Sequence, residues 1–228
     1  MEPLIQVKNI TKIYKMGASN LSVTALSQVS MDFERGEFTA IAGPSGSGKS
    51  TLLNIIGTID IPTRGDVFYE GRRVFSMSEN QLADFRLISL GFIFQAYNLI
   101  QVLTARENVE YVLALQGVPK DERAERAYEV LKWVGLTAQA DRRPDLLSGG
   151  QQQRVAVARA IVHRPMVVLA DEPTANLDSK TAQSLLDLMA GLNKDRGVTF
   201  LFSSHDPRVL KLANRVIEIR DGELKKKA

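Results

Sequence analysis

Residues 43–50 read Gly43-Pro44-Ser45-Gly46-Ser47-Gly48-Lys49-Ser50, and Thr51 follows them. The stretch fits the pattern G-x-x-x-x-G-K-S/T in full, between a buried apolar run at 38–42 and a predicted helix at 51–56. Glycine permits backbone angles that a Cβ forbids, so successive N–H groups can point at phosphate oxygens near the positive end of a helix. The pattern predicts a nucleotide site in which Lys49 reaches the β- and γ-phosphates and Ser50 ligates Mg²⁺. A glycine-rich turn with a chance lysine is the alternative.

A second buried strand is predicted at 166–170, and it is followed directly by Asp171 and Glu172. Burial of a carboxylate costs on the order of several kcal/mol unless a cation or hydrogen bonds compensate, and Mg²⁺ is the natural compensation. Because side chains alternate along a strand, the two acids are expected to face different ways. We assign Asp171 to Mg²⁺ and Glu172 to the attacking water, as general base or polarising group. Two acids that cap the following turn are the alternative.

The glycines of Leu147-Ser148-Gly149-Gly150-Gln151 stand at the start of a strong helical pattern that continues to Ile161. Each glycine should cost about 0.5–1 kcal/mol relative to alanine in a helix, so bare backbone must be needed there. Ser148 and Gln151 also have the spacing of a capping box, which would make this a plain helix start. The alternative is a second anion site, at which the exposed amides and the Ser148 hydroxyl approach a phosphate.

Patterning along the rest of the chain predicts an α/β protein. Strand patterns occur at 4–14, 29–33, 38–42, 166–170 and 198–202, with a hairpin pattern at 66–74. A helical period extends from about Ser78 to Val134, with the capping-box pairs Ser78–Gln81 and Thr104–Glu107, and it returns at 179–192. We expect an antiparallel β lobe beside a parallel core, together with a helical lobe.

Composition sets bounds on the class of protein. The 228 residues, 44% hydrophobic and 24% charged with a formal net charge of +3, suit one large domain or two packed lobes and exclude a disordered or fibrous chain. The absence of cysteine excludes thiolate metal sites and cysteine nucleophiles. The sequence shows no run of about 18 apolar residues and no signal-peptide pattern, so we expect a cytosolic chain that meets a membrane through a partner. The run Lys225-Lys226-Lys227 predicts a solvated tail, with contact to anionic lipid as the alternative.

Taken together, the motifs resemble the ATP-binding cassette (ABC) family, the ATPase subunits of ABC transporters, over essentially the whole chain. The motifs that carry the resemblance are, in order, Tyr14, Gly43–Thr51, Gln95 in Phe94-Gln95-Ala96, Leu147–Gln151, Leu169–Pro173, Asn176-Leu177-Asp178 and Ser204-His205-Asp206. The resemblance implies a P-loop NTPase fold with a RecA-like core in a single domain, 1–228. The core and the antiparallel lobe would comprise residues 1–94 and 155–228. The helical lobe, which contains the signature motif Leu147–Gln151, would comprise about 95–154.

The resemblance also implies how the chain handles ATP. In this family two cassettes pack head to tail around two ATP molecules, so that residues 148–151 meet the γ-phosphate held by a second copy, with Asp178 at the dimer seam. Tyr14 would stack on adenine, although by itself it reads as a strand aromatic. His205 would contact the γ-phosphate and help Glu172 to organise water, although a lone histidine is more often structural.

Gln95 would sense Mg²⁺ and transmit its state to an integral membrane permease subunit. Stretches that resemble the bacterial macrolide-export and lipoprotein-release subgroup are Pro62-Thr63-Arg64-Gly65, Tyr97-Asn98-Leu99-Ile100, 104–110 and 169–174. The resemblance therefore implies a peripheral protein on the cytoplasmic side of the bacterial inner membrane, in contact with its permease through residues 97–107. Hydrolysis of ATP would drive export, lipoprotein release or mechanotransmission to the periplasm.

Two other functions are less consistent with the sequence. A soluble cassette ATPase that acts on nucleic acid usually carries coiled-coil, zinc or duplicated-cassette insertions, for which 228 residues leave no room, and the small net charge also argues against it. A phosphotransferase of the broader phosphate-loop class would not explain the signature or His205. We expect no nucleic-acid partner.

Overall fold

The computed structural model describes residues 2–15 and 22–225. Lys226 and Lys227 of the predicted tail lie outside the described residues. Contacts divide the chain into two units, one formed by Met1–Arg86 with Leu201–Ala228 and the other by Leu87–Phe200. The division predicted from the sequence, with a helical lobe at about 95–154, stays a prediction.

The strands and helices follow one another in this order: β1 (Ile5–Lys15), β2 (Ser22–Phe33), β3 (Phe38–Ala42), α1 (Lys49–Ile56), β4 (Arg64–Tyr69), β5 (Arg72–Arg73), α2 (Glu79–Ser89), β6 (Leu90–Ile93), α3 (Ala105–Leu115), α4 (Lys120–Trp133), α5 (Gly149–Ile161), β7 (Val167–Asp171), α6 (Ser179–Arg196), β8 (Phe200–Ser204), α7 (Pro207–Leu212), β9 (Arg215–Arg220) and β10 (Glu223–Leu224). Short 3-10 turns lie at Val74–Ser76, Thr137–Gln139 and Pro144–Leu146.

The first unit contains the predicted antiparallel sheet. Its strands are ordered β2-β1-β4-β5, and Ile5 stands opposite Phe33 on one side and Tyr69 on the other. Apolar side chains of β1 at positions 5, 7 and 10 are buried. The Tyr69 hydroxyl donates to the Ile56 carbonyl oxygen at 2.8 Å, so α1 is tied to this sheet.

The second sheet of the first unit has its strands in the order β10-β9-β3-β8, with β10 antiparallel to β9. Strand β3 runs parallel to β9, and all five of its residues are buried, as expected for an interior strand of a parallel sheet. The ring of Phe38 packs on that of Phe202 with centroids 4.7 Å apart. The chain leaves β3 at Ala42 and enters α1 at Lys49, so the glycine-rich stretch forms the predicted strand-to-helix loop.

The second unit is the helical part of the protein with one pair of parallel strands, β6 and β7. Helices α3, α4 and α5 pack on one another through buried apolar faces that include Val109, Leu131 and Val157. Thr104 caps α3 as predicted, because its hydroxyl accepts from Glu107 N while the Glu107 side chain accepts from Thr104 N at 2.8 Å. The mixed α/β fold predicted from the sequence is confirmed.

Some element boundaries differ from the predicted ones. Helix α6 continues to Arg196 and ends where Gly197 adopts a left-handed φ of 67°, a conformation that glycine takes at little cost. The following strand β8 therefore begins at Phe200, later than the apolar run suggested. Within the described residues, no helix combines the length and the apolar character that a membrane crossing requires.

Two glycines of the second unit give a matched test of packing. A Cβ added to Gly91 of β6 would lie 2.2 Å from the Ala160 carbonyl oxygen of α5, whereas one added to Gly191 of α6 would meet nothing within 4 Å. We predict that Gly91→Ala lowers the free energy of unfolding by about 1–3 kcal/mol through overpacking. We predict that Gly191→Ala raises it by about 0.5–1 kcal/mol, because alanine loses less entropy in a helix. Urea denaturation followed by circular dichroism measures both; equal stability of Gly91→Ala and the unaltered protein would contradict the close approach of β6 and α5.

Candidate functional site

The ammonium group of Lys49 lies inside the loop between β3 and α1. Lys49 is buried, and its Nζ donates to the carbonyl oxygens of Gly43 and Pro44, each at 2.9 Å. A buried cation is stable when hydrogen-bond acceptors surround it, so the lysine holds the loop curled over itself. The positive charge predicted to meet phosphates is therefore at the centre of this loop.

Two loop glycines are required by neighbouring backbone. A Cβ on Gly43 would lie 2.2 Å from the Ile219 carbonyl oxygen of β9. Gly48 has a φ of 105°, and its Cβ would lie 2.6 Å from the Ala25 carbonyl oxygen of β2. The loop is consequently pressed between two strands of the first unit, which limits the paths that its backbone can take.

The start of α1 has the features of an anion site. Its N-cap residue is Gly48, which offers no capping side chain, and the first turn contains no acidic residue. The Ser47 hydroxyl is buried, and within the described ranges it has no hydrogen-bond partner. Amides at a helix start carry partial positive charge and suit a phosphate, as the sequence predicted for residues 43–51.

Tyr14, predicted to stack on adenine, is held by two side chains that the sequence analysis did not identify. Its hydroxyl donates to Asp60 Oδ2 at 2.7 Å, Lys12 Nζ donates to Asp60 Oδ1 at 2.5 Å, and the same Nζ lies 4.8 Å from the Tyr14 ring centroid. The Tyr14 side chain is 40% exposed. The ring is thus fixed while part of it faces solvent.

The electrostatics of this trio are consistent with an ionised Asp60. Burial by itself raises the pKa of Asp60, but the hydrogen bonds from Lys12, Tyr14 and the Ile61 amide, together with the charge of Lys12, lower it by more, so the pKa lies below its ordinary value. Burial and the hydrogen bond to Asp60 raise the pKa of Tyr14. Asp60 stands 46 residues from Tyr14, so no local spacing could have indicated the pair.

His205 follows β8 and shares a cavity with the start of the loop. The cavity has a volume of about 430 Å³, and its lining includes Gly43, Pro44, His205 and Glu218. The structure thus brings together two of the motifs predicted to contact phosphate. The role of His205 toward a γ-phosphate stays a prediction.

Asp171 and Glu172 of the second unit lie where strand β7 gives way to a turn. The strand ends at Asp171, and Glu172 has a left-handed φ of 44°. The direction of Glu172 is therefore set by the turn and not by the alternation along a strand on which the sequence argument relied. Gln153 of α5 stabilises this turn, since its buried Nε2 donates to the Pro173 carbonyl oxygen at 2.8 Å. Left-handed backbone at a residue with a Cβ is often found at functional sites.

Gln95 follows β6, and the structure links it to the motif 176–178. Asn176 Nδ2 donates to the Gln95 carbonyl oxygen at 2.9 Å. Asp178 caps α6 by accepting from the amides of Lys180 and Thr181, each at 3.0 Å. The hydrogen bonds from Thr181 lower the pKa of Asp178. Asp178 thus has a structural role in its own chain, alongside the predicted one at a dimer seam.

The signature residues 148–151 begin α5 with a complete capping box. The Ser148 hydroxyl accepts from Gln151 N at 3.3 Å, and the Gln151 side chain accepts from Ser148 N at 2.9 Å. The glycines also have a packing role, because a Cβ on Gly150 would lie 2.3 Å from Thr181 Cγ2 and one on Gly149 would lie 3.0 Å from the Tyr97 hydroxyl. The close approach at Gly150 therefore favours bare backbone inside the second unit itself, a reason that the sequence could not reveal.

The residues predicted to hold Mg²⁺ offer a suitable set of donors. Ser50, Gln95 and Asp171 supply hydroxyl, amide and carboxylate oxygens, the hard ligands that this ion prefers while it keeps several waters. Among the residues that the structure describes, no group of three or more His, Asp or Glu side chains could hold a metal ion alone. The fit with Mg²⁺ therefore rests on the chemistry of these three donors.

Comparisons with known proteins agree on one family. The family model described as ABC transporter matches residues 26–175. An uncharacterised ABC transporter ATP-binding protein of Methanocaldococcus jannaschii is 47% identical over 221 residues, which is 97% of each chain. A solved structure, the dimeric post-hydrolysis state of the ATP-binding cassette MJ0796 bound to ADP and Pi, is 43% identical with a TM-score of 0.88 and covers 98% of this chain and 97% of that one.

A longer relative is also similar. The macrolide export ATP-binding/permease protein MacB of Marinobacter nauticus is 45% identical over 222 residues. The alignment covers 97% of this chain and 34% of MacB, so the chain spans about a third of that protein.

The trio of Lys12, Tyr14 and Asp60 predicts a pH-dependent loss of stability. Because the pKa of Asp60 is lowered in the folded state, the carboxylate stabilises the fold above its ordinary value of 3.8, and this contribution is lost as the pH falls through the lowered value. We predict that Asp60→Asn lowers the free energy of unfolding by about 0.5–1 kcal/mol at pH 7, and that the deficit shrinks below pH 3.8. Urea denaturation between pH 7 and pH 3 measures this deficit. The exposed Asp84 of α2 provides the control Asp84→Asn, and a deficit independent of pH would contradict the ionic role of Asp60.

Proposed function

This chain belongs to the ABC transporter family as an ATP-binding and ATP-hydrolysing subunit, and from that premise we propose which residues carry out hydrolysis and what it drives. The observation that carries the proposal is the loop 43–51, where a buried ammonium group and a helix start with a glycine N-cap occur together. Both features suit the polyphosphate of a nucleotide, because each supplies positive charge without an acidic neighbour in the first turn of α1.

Binding of ATP is proposed to use the first unit as follows. Lys49 Nζ exchanges its hydrogen bonds with the Gly43 and Pro44 carbonyls for oxygens of the β- and γ-phosphates. The amides of residues 43–51 hold the same phosphates. Tyr14 stacks on adenine, and Asp60 with Lys12 keeps its ring in place. The cost of ordering these side chains is small, because the structure already holds them in one arrangement.

The proposed chemical step is the attack of one water molecule on the γ-phosphorus. A bond forms between the water oxygen and phosphorus while the bond from phosphorus to the bridging oxygen of ADP breaks, so that ADP and phosphate leave. Glu172 accepts the proton of the water or polarises it, and His205 contacts the γ-phosphate and orients the water. Ser50, Gln95 and Asp171 hold Mg²⁺, which when bound neutralises charge on the phosphate oxygens.

A second copy of the chain is proposed to complete the site. The signature residues 148–151 would meet the γ-phosphate held by the other copy, and Asp178 would lie at the seam. The support is that the cassette MJ0796, 43% identical to this chain, is described as a dimer bound to ADP and Pi. The start of α5 offers backbone amides beside the Ser148 hydroxyl, which is the chemistry that such a phosphate requires.

The partner is proposed to be an integral membrane permease subunit on the cytoplasmic side of the bacterial inner membrane. MacB of Marinobacter nauticus, a longer relative, is described as an ATP-binding/permease protein. Residues 97–107 are proposed to contact the permease, and within them the side chain of Val102 is 72% exposed. ATP hydrolysis would then drive export, lipoprotein release or mechanotransmission to the periplasm, with no role for nucleic acid.

We predict that Glu172→Gln lowers ATP turnover by about 100-fold or more, because the amide cannot take the proton of the attacking water. ATP binding should persist, so the variant should accumulate as an ATP-bound dimer. Phosphate release measures turnover, and light scattering after size-exclusion chromatography with Mg²⁺ and ATP measures the dimer. The matched control is Glu125→Gln on the exposed face of α4, which should hydrolyse ATP at the normal rate. Normal turnover in Glu172→Gln would overturn the assignment of Glu172.

We predict that Val102→Asp reduces the amount of permease that co-purifies with the tagged protein from its native membranes by at least about fivefold, since a charge would replace an apolar contact. Thermal unfolding of the isolated variant checks that the fold is kept. Val23→Asp, a substitution of the exposed apolar residue Val23 of β2, is the control and should co-purify normally. Equal recovery with both variants would move the partner surface away from residues 97–107.

A further inference from the structure

Two consecutive residues that follow Gln95 have a backbone conformation that side chains disfavour. Tyr97 has a φ of 59° and Asn98 a φ of 51°, both in the left-handed region. A residue with a Cβ occupies this region at a cost, and it does so stably when the surroundings hold it there. Two backbone hydrogen bonds hold the turn 97–98 from within, from Tyr97 N to the Phe94 carbonyl oxygen at 3.2 Å and from Asn98 N to the Ala96 carbonyl oxygen at 2.6 Å. A restraint from another element would stabilise it further.

Arg159 of α5 provides that restraint. Its Nη1 donates to the Asn98 carbonyl oxygen at 2.5 Å and its Nη2 to the Tyr97 carbonyl oxygen at 2.9 Å. The two N–H groups of a planar guanidinium match two successive carbonyls, a geometry that the single ammonium of lysine cannot reproduce. Arg159 is 61 residues from Asn98 and 62 from Tyr97 in the sequence, so these hydrogen bonds are a tertiary restraint on the turn.

The same turn also lies close to the opposite end of α5. The Tyr97 hydroxyl lies 3.0 Å from the position that a Cβ on Gly149 would occupy. Arg159 and Gly149 are separated by ten residues of helix, or about 15 Å. The Tyr97 side chain thus lies beside the first residue of α5, and the two carbonyls of the turn are hydrogen-bonded to its last turn.

Residues on either side of the turn 97–98 are hydrogen-bonded to other parts of the second unit. Asn176 donates to the Gln95 carbonyl oxygen, and the buried Asn108 of α3 accepts from Ile100 N at 2.8 Å and donates to the Ile100 carbonyl oxygen at 3.1 Å. Between these two fixed points, the part of the chain that the structure describes shows one side chain bonded to the carbonyls of 97 and 98, that of Arg159.

We propose that Arg159 is a positioning residue, which holds the turn 97–98 left-handed and so sets Gln95 and the start of the signature helix relative to each other. The proposal rests on the ATPase function proposed above. Arg159 acts through the backbone, because its guanidinium bonds the carbonyls of Tyr97 and Asn98. Its loss should slow the chemical step while the apparent affinity for ATP, which depends on Tyr14 and the loop 43–51, stays nearly the same.

The test uses glycine to replace the restraint. Arg159→Lys keeps the charge and loses the paired donors, and we expect kcat to fall about tenfold with KM for ATP changed less than threefold. Glycine adopts left-handed φ as readily as right-handed. Asn98→Gly added to Arg159→Lys should therefore restore kcat to within about threefold of Asn98→Gly alone. Arg154→Lys is the matched control on the same helix, because Arg154 donates to the Val134 carbonyl and the Ser184 hydroxyl, and it should leave kcat unchanged.

A second readout does not depend on activity. Amide hydrogen exchange of peptides covering 94–103 should accelerate at least fivefold in Arg159→Lys and slow again in the double variant, with no change in Arg154→Lys. Absence of ATP hydrolysis in the unaltered protein would refute the proposed function, and the exchange rates would still decide whether Arg159 holds the turn. Unchanged exchange, or a loss of kcat that Asn98→Gly does not restore, would overturn the positioning role and leave Arg159 as a packing residue.

Discussion

The hydrogen bonds from the Lys49 ammonium to the Gly43 and Pro44 carbonyls are the interaction on which the first unit is organised. A cation can be buried there because the loop folds back and presents main-chain oxygens to it. The loop can fold back because Gly43 and Gly48 allow the backbones of β9 and β2 to approach to distances that a Cβ would prevent. The buried strand β3 anchors one end of the loop and α1 begins at the other, so the ammonium and the positive end of the helix belong to the same short segment.

In the second unit, α5 has a comparable organising position. This thirteen-residue helix begins with a capping box and packs against α6 at Gly150. Its Arg159 is hydrogen-bonded to the turn that follows Gln95. Residues in this region therefore serve two purposes. Ser148 and Asp178 cap helices of their own chain, and in the proposed dimer the same residues would face a second copy. Substitution of either would change stability as well as catalysis, so roles in this region are separated best by paired variants and by readouts that do not depend on activity.

Motifs with local geometry were predictable from the sequence. In the loop 43–50, each residue type meets one requirement of phosphate binding. The comparisons confirm the ABC transporter family and the mixed α/β fold. The capping boxes at Thr104 and Ser148 were also predictable, because donor and acceptor stand three residues apart. Boundaries were less so: α6 runs four residues beyond its apolar pattern, since a polar turn continues the helix until Gly197 ends it.

The sequence by itself thus determined the class of fold, the family and the residues that form each local motif, because these depend on neighbours along the chain. The tertiary structure alone decided which distant residues hold those motifs in place. Asp60 is hydrogen-bonded to Tyr14 across 46 residues, and Arg159 to Tyr97 across 62. The methyl group of Thr181 in α6 leaves no room for a side chain at Gly150 of α5. Such contacts leave no periodic trace in the sequence, because their geometry exists only after separate elements have packed against one another.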